Sequence, residues 1–331
     1  MNGLQHVLTA LKHAKHAAIL SHVSPDGDCI GSMAALGRAL EHTGCEVVLV
    51  NNDPIPAYLT FLLRTNQVVL PQQVTEWPPL IICVDCSDQF RLGERVFDSI
   101  PADRMVVNID HHISNTNFGS VNYVDPSAAA TGELVAQVIK QLNIEFDTTI
   151  ATALYAAVVT DTGSFQYSNT TSATHLLIAE LIEAGVDVVE ASRRLYNTKT
   201  LAEVKLLGKA LDNLEVSADG RMAWITVPQQ VFRSLGATEA DTDGIINYTR
   251  ALENVEVGLL FREQENGKIK VGFRSKRVVD VNRLAAEFGG GGHPRAAGCV
   301  IKANLPDAVA AVLSKTKEYL EALNERNNQC T

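Results

Sequence analysis

Four short apolar runs constrain the first part of this chain. AAILS (17–21), EVVLV (46–50), LIICV (80–84) and MVVNI (105–109) are rich in Val and Ile and lack polar alternation, so they read as strands buried on both faces. Between the first two, SMAALGRALEHTG carries apolar residues at three- and four-residue spacing with Gly44 beyond its end, which predicts a helix. PAYLTFLLRT predicts a shorter one. Strand alternating with helix implies a mostly parallel sheet flanked by helices. The stretches SAAATGELVAQVIKQL (127–142), TTIATALYAAVVTDTG and residues 172–184 predict three further helices.

At 331 residues the chain exceeds one typical domain and suits two. A charged amphipathic stretch, YNTKTLAEVKLLGKAL, reads as the connector. The predicted division is a first domain over 1–190, a helical linker over 191–212 and a smaller α+β domain over 213–331. In the latter, RMAWITV, VEVGLLFRE and KIKVGFRS are strand-like, VVDVNRLAAEFGGGGHPRAAGCVIK runs helix, glycine loop, strand, and PDAVAAVLSKTKEYLEALNER predicts a closing helix.

Charge and apolar patterning exclude several function classes. The net charge is −10, unsuited to a long nucleic-acid track, which relies on many lysine and arginine contacts. The acidity is one-sided: residues 1–198 hold 10 Lys+Arg against 21 Asp+Glu, a balance of −11, and residues 199–331 hold 18 against 17, a balance of +1. Such an acidic half suits metal cations. No apolar segment approaches the roughly 20 residues that span a bilayer. The opening run is broken by lysines and histidines and lacks an export signal, and six cysteines are scattered without scaffold spacing. A cytoplasmic protein is the expectation.

Polar clusters stand at the ends of the predicted strands, where parallel sheets bind ligands. After AAILS come His22, Asp26 and Asp28; after LIICV comes Asp85; after MVVNI come Asp110, His111 and His112; and Asp161 lies near the end of the helix TALYAAVV. Taken alone, HxxxDxD in SHVSPDGDCIGS reads equally well as a capped turn, with Gly27 letting it bend and Gly31 and Ser32 starting the next helix. Recurrence at several strand ends favours chemistry. Four carboxylates on one edge repel one another unless cations intervene. Oxygen-rich ligation with some imidazole suits Mn²⁺ or Mg²⁺. Two such ions roughly 3.5 to 4 Å apart can clamp a phosphoryl group, supply a hydroxide and stabilise a leaving oxygen, so the pattern points to phosphoester hydrolysis. Cys83 and Cys86 form a CxxC, but Cys83 falls inside an apolar strand and no second CxxC completes a zinc site, so the spacing reads as incidental.

The second domain offers anion-binding candidates. In GGGGHPRAAG, the glycines Gly290, Gly291 and Gly292 let main-chain N–H groups approach an anion, with His293 and Arg295 adding donors. Arg274, Ser275 and Lys276 follow a strand and offer a fork for phosphate, or else a solvated strand end.

The ordered set SHVSPDGD, VDCSD, NIDHH, VVTDTGSF, FRSK and GGGGHPRAAG resembles the DHH/DHHA1 phosphoesterase family over nearly the whole chain. Its short cytoplasmic members of the nanoRNase A type, bifunctional oligoribonucleases and phosphatases of 3′-phosphoadenosine 5′-phosphate (pAp), are the most similar. The resemblance implies an N-terminal DHH domain, a C-terminal DHHA1 domain and two Mn²⁺, with Mg²⁺ or Co²⁺ as substitutes. It assigns His22, Asp26 and Asp85 to one ion and Asp28, Asp85, His111 and Asp161 to the other. His112 would face the scissile phosphate, supported by Asp110. Arg274, His293 and the glycine loop would hold the substrate's terminal nucleotide or phosphate. Short RNA, dinucleotides and pAp are the implied substrates, and a homodimer is the implied assembly. A linear or cyclic dinucleotide phosphodiesterase and a non-catalytic metal-dependent nucleotide sensor remain open as alternatives.

Overall fold

The computed structural model describes residues 3–63, 68–93 and 95–329. The chain divides into two compact units, Met1–Thr198 and Lys199–Thr331. The first unit runs α1 (Leu4–Leu11), β1 (His16–Leu20), α2 (Gly27–His42), β2 (Glu46–Val50), β3 (Val68–Val69), β4 (Leu80–Val84), β5 (Met105–Asp110), β6 (Val121–Val124), α3 (Thr131–Gln141), α4 (Thr148–Asp161), α5 (Ser172–Glu183) and α6 (Val188–Tyr196). The four apolar runs are all strands. PAYLTFLLRT forms a 3₁₀ segment, Ala57–Leu62, instead of an α-helix.

The six strands of this unit lie in the order β3-β2-β1-β4-β5-β6, and every neighbouring pair is parallel. The chain builds outward from β1 through β2 and β3, then returns to β4 on the other side of β1. The direction of winding therefore reverses between β1 and β4, and ligands bind at the carboxyl ends of strands flanking such a reversal. Residue parity separates the two faces. Ala17, Ile19, Ile82 and Ile109 pack with α2, α3 and α4, whereas Ala18, Leu20, Ile81 and Cys83 pack with Trp77, Leu92 and Val96 from loops and 3₁₀ turns.

Glycines set how closely α2 and α4 approach. A Cβ on Gly27 would lie 2.3 Å from Thr160 Oγ1, and one on Gly31 would lie 2.4 Å from the Ala153 carbonyl oxygen. Gly27 is therefore the first residue of α2 pressed against α4, not a bend in a turn, and Gly31 lies inside the helix. This contact holds the start of α2 beside the end of α4.

The second unit runs α7 (Leu201–Asp212), β7 (Leu214–Val216), β8 (Met222–Val227), α8 (Gln229–Leu235), α9 (Ile246–Ala251), β9 (Val257–Glu263), β10 (Ile269–Ser275), α10 (Val281–Ala286), β11 (Gly291–His293), β12 (Ala296–Ile301) and α11 (Leu305–Gln329). Its sheet is mixed, in the order β11-β12-β10-β9-β8-β7, with β8 and β9 parallel and the other pairs antiparallel. Phe261 and Phe273 are fully buried in it. The predicted glycine loop is partly a strand, since Gly291 and Gly292 pair with Gly298 and Ala297. Among the described residues no helix is long and apolar enough to cross a membrane.

Candidate metal centre

β1 is followed by Ser21-His22, and the chain then enters α2 with Asp26 as its cap. The Asp26 carboxylate accepts from the Cys29 N–H at 3.1 Å, so the capped-turn reading is correct for this residue. Its other neighbour is His22, with Nε2 3.6 Å from Asp26 Oδ1 and 3.3 Å from Asp85 Oδ2. One carboxylate thus caps the helix and faces the cluster together.

Asp85 follows β4 directly and is buried, with a left-handed backbone at φ 59°. For a residue with a Cβ this conformation is strained. It is held by the Asp85 N–H donating to the Ile109 carbonyl at 2.9 Å and by the Thr131 hydroxyl donating to Asp85 Oδ1 at 2.9 Å. The twist turns the carboxylate back across the strand ends toward His22.

Asp28, 1% exposed, is gripped by a different element. The Thr131 N–H donates to Oδ2 at 2.7 Å, the Gly132 N–H to Oδ1 at 2.9 Å, and the Ser32 hydroxyl to Oδ1 at 3.1 Å. The residue before α3 is Ala130, which has no capping side chain, so Asp28 supplies the cap from α2. Thr131, Gly132 and Ser32 are absent from the sequence-predicted site. A helix start in SAAATG with no Ser, Thr, Asp or Asn at its cap position was the available signal.

The histidines are fixed at one ring nitrogen each. His22 Nδ1 lies 2.8 Å from the Val23 carbonyl and His111 Nδ1 lies 3.2 Å from the Ala128 carbonyl, so both Nδ1 atoms carry the proton and donate. Each Nε2 then faces carboxylates. For His111 these are Asp28 at 3.8 Å, Asp85 at 3.7 Å and Asp161 at 3.6 Å. His112 differs: its Nδ1 sits 2.6 Å from Asp110 Oδ1, and the Asn115 amide donates to Asp110 Oδ2 at 2.6 Å. Asn115 also donates to Asn108 Oδ1 at 2.8 Å, and Asn108 donates to the Cys86 carbonyl at 3.1 Å. Asn108 and Asn115, which the sequence reading passed over, brace the aspartate that orients His112.

The electrostatics are those of a site built for cations. Burial, reinforced by the charges of Asp85, Asp161 and Asp26, pushes the Asp28 carboxyl well above the usual carboxylate range. Burial likewise raises Asp161 to about 7. Burial opposes charge on His112, yet the hydrogen bond to Asp110 and the charge of Asp85 push it up to about 9. Asp85 stays well below the ordinary range because His22, His112 and His111 outweigh its burial. Among the described residues the ion-pair partners of Asp26, Asp28, Asp85 and Asp161 are all histidines.

This donor set fits divalent ions. Donor atoms about 2.1 Å from one ion lie roughly 3 to 4 Å from each other, which is the spacing of the Nε2 and carboxylate atoms here. Three triads have ligand atoms mutually within 4.8 Å: His22, Asp26, Cys29; Asp85, His111, His112; and Asp28, His111, Asp161. Seven of the eight predicted residues, His22, Asp26, Asp28, Asp85, His111, His112 and Asp161, come together at the winding reversal, and the eighth, Asp110, holds His112. Cys83 and Cys86 are buried thiols and belong to none of these triads.

The candidates of the second unit are mostly engaged by its main chain. The Ser275 hydroxyl donates to the Val279 carbonyl at 2.7 Å, and the Lys276 ammonium donates to the carbonyls of Leu252 and Glu253. Arg274 donates to the Phe273 carbonyl at 3.0 Å. The N–H groups of Gly290 and Gly292 go to the Ala285 carbonyl and Asn282 Oδ1. These glycines also admit close packing, since a Cβ on Gly290 would lie 2.1 Å from the Gly298 carbonyl oxygen. The His293 side chain lies outside the described part of the structure.

A parallel sheet with this carboxylate and histidine cluster at its switch point, followed by a mixed-sheet unit, defines a two-part phosphoesterase. The chain belongs to the DHH family: residues 16–158 match its N-terminal domain and residues 226–322 match the DHHA1 domain. It is 34% identical to the bifunctional oligoribonuclease and PAP phosphatase NrnA of Thermus thermophilus, over 91% of this chain and 89% of that one. The protein of the same name from Bacillus subtilis is 31% identical, over 85% and 87% of the two chains. The crystal structure of an exopolyphosphatase-related protein from Bacteroides fragilis matches with a TM-score of 0.90 at 27% identity, over 97% of both chains. The fold also matches RecJ of Thermus thermophilus in complex with Mn²⁺, with a TM-score of 0.57 at 15% identity, over 96% of this chain and 54% of that one.

Proposed function

We propose that this chain is a manganese-dependent phosphoesterase that hydrolyses short oligoribonucleotides to nucleoside 5′-monophosphates and dephosphorylates pAp to AMP. The observation that carries the reading is the convergence, at the switch point, of two histidines whose Nε2 atoms face four carboxylates, which among the described residues form ion pairs with histidines alone. The choice of substrate is supported by the names of the two relatives above.

His22, Asp26 and Asp85 would hold one ion and Asp28, Asp85, His111 and Asp161 the other, with Asp85 shared. When bound, such a pair supplies an activated water and charge neutralisation at a phosphoryl group. The chain's own residues do the rest. The carbonyls of Val23 and Ala128 hold His22 and His111 as Nδ1–H tautomers, which keeps each Nε2 lone pair on the cluster. The α3 N–H groups fix both oxygens of Asp28, so that ligand cannot swing away. Asp110 holds His112 through Nδ1, and that hydrogen bond favours the protonated imidazole. Its Nε2 proton is then available to the leaving oxygen as general acid.

In the second unit, Arg274 and the main chain around Gly290, Gly291 and Gly292 are the proposed phosphate contacts, with His293. Ser275 and Lys276 belong to the proposal only if they leave their carbonyls. A cytoplasmic location is supported by the buried free thiols of Cys29, Cys45, Cys83, Cys86 and Cys299. A homodimer completes the proposal, and light scattering of the purified chain tests it.

The decisive assay compares an RNA dinucleotide, a pentanucleotide, a long single strand, pAp and pyrophosphate with Mn²⁺. Turnover of the short RNAs and pAp, with the long strand poor, is expected. Pyrophosphate as best substrate, or tight metal binding with no turnover of any, overturns the reading.

A further inference from the structure

One member of the triads is foreign to an oxygen-and-imidazole centre. Cys29 is buried at the third position of α2, and its Sγ lies within 4.8 Å of donor atoms of both His22 and Asp26. The N–H of Asp26 donates to Sγ at 3.3 Å, and Sγ donates to the Asp26 carbonyl at 3.5 Å. These hydrogen bonds pin the thiol one turn into the helix, beside the residue that caps it. Without a cation the Sγ proton lies in the hydrogen bond to the Asp26 carbonyl.

We propose that Cys29 is a soft donor at the ion position of His22 and Asp26, giving this centre a thiolate ligand for zinc-like ions that its oxygen-rich neighbour lacks. The inference rests on the metal-centre reading above and deepens it. Soft ions take thiolate together with imidazole, whereas Mn²⁺ and Mg²⁺ prefer carboxylate and water. The two ion positions therefore differ in kind. The position of Asp28, His111 and Asp161 offers oxygen and one imidazole; the position of His22, Asp26 and Cys29 offers sulfur as well. Binding of a divalent thiophile there releases the Sγ proton to solvent as the S–metal bond forms, with no change of oxidation state. The site should discriminate Zn²⁺, Cd²⁺ and Co²⁺ from Mn²⁺ more strongly than a carboxylate–histidine centre does.

Co²⁺ reports this directly, because thiolate ligation adds an intense near-ultraviolet charge-transfer absorption that oxygen and nitrogen ligands do not give. Chelator-treated full-length protein would be titrated with Co²⁺ alone and with Zn²⁺ in competition. The wild-type chain should show the band, and Cys29→Ser should lose it while still binding Co²⁺, with Zn²⁺ affinity falling at least ~10-fold relative to Mn²⁺. Cys86→Ala, which removes the other thiol near Asp85, should retain the band. Co²⁺ binding to the wild-type chain without the band overturns the role of Cys29 and leaves the metal centre intact. A band that survives Cys29→Ser and vanishes in Cys86→Ala assigns the sulfur elsewhere and also overturns it. No Co²⁺, Zn²⁺ or Mn²⁺ binding overturns both. If Cys29→Ser does not fold, proton release on Zn²⁺ against Mn²⁺ in the wild-type chain decides. One extra proton for Zn²⁺ is expected, and equal release refutes the proposal.

Discussion

Replacing Gly31 by alanine should damage the metal centre without touching a ligand. The added Cβ would lie 2.4 Å from the Ala153 carbonyl oxygen and 2.9 Å from Ala157 Cβ. Both are parts of α4 that no rotamer change can move. Ordinary contact needs about 3.5 Å, so α2 and α4 must separate by about 1 Å. Asp28 lies one turn before Gly31, and Asp161 lies one turn after Ala157, so the strain falls on the two carboxylates assigned to one ion. Overpacking of this kind costs about 1–3 kcal/mol of stability. Ligand distances tolerate only ~0.2 Å, so Mn²⁺ affinity should fall roughly 10- to 100-fold. Gly37→Ala in the same helix is the control: its Cβ would meet Leu49 Cδ2 at 3.1 Å, the end of a side chain that can yield. There the helix-propensity gain of about 1 kcal/mol offsets the crowding. Calorimetric Mn²⁺ titration and thermal melts of the two variants test this. If Gly31→Ala binds Mn²⁺ within ~3-fold of the parent, the helix contact does not set the site.

Four further outcomes follow from the geometry. Gly208→Ala, in the interior of α7 with nothing within 4 Å of the new Cβ, should stabilise the chain by about 0.5–1 kcal/mol in a denaturant titration. Asp85→Ala should abolish turnover and reduce the bound Mn²⁺ measured by elemental analysis; near-normal activity with full metal content would refute a shared ligand. Asp110→Asn weakens the hydrogen bond that raises His112, so its pKa should drop from about 9 toward its ordinary range. A general acid works below its pKa, so the alkaline limb of the kcat profile should move to lower pH, and an unmoved limb removes His112 from the role. Asp161, raised to about 7 in the metal-free chain, holds a proton that an incoming ion must displace. Apparent Mn²⁺ affinity should therefore rise between pH 5 and 7.5, by up to ~10-fold per unit for each proton released, and calorimetry in buffers of different ionisation enthalpy counts them.

Much of this was legible because buried parallel strands leave little ambiguity. LIICV, every residue of which is buried, could not alternate and did not. A chain that runs out to an edge and returns must place residues after β1 and β4 together, which is why His22 and Asp85 could be paired across sixty residues of sequence. What escaped was held by contacts with no local pattern. Thr131 and Gly132 reach Asp28 through main-chain N–H groups, which any residue but proline possesses. Gly27 looked like a turn residue and Gly31 like a helix start, because two glycines four apart read the same at a bend before a helix and at a helix crossing. The four glycines from Gly289 looked like an open loop, but two of them pair in a sheet, since β12 brings its own small residues opposite. Asn115 sits in a loop with no periodicity at all, and its role depends on Asn108 and Asp110 meeting it from β5.

Because Asp28 both joins the carboxylate–histidine cluster and caps α3, the two histidines and that carboxylate differ in how expendable they are. Besides metal, losing His22 or His111 takes a donor from one carbonyl, that of Val23 or Ala128. Losing Asp28 also strips the Thr131 and Gly132 N–H groups of their acceptors and unsettles a helix start inside the core. A lineage of this fold drifting from hydrolysis toward some non-catalytic task should therefore shed its histidines first and keep the aspartate longest, as a relic of architecture rather than of chemistry.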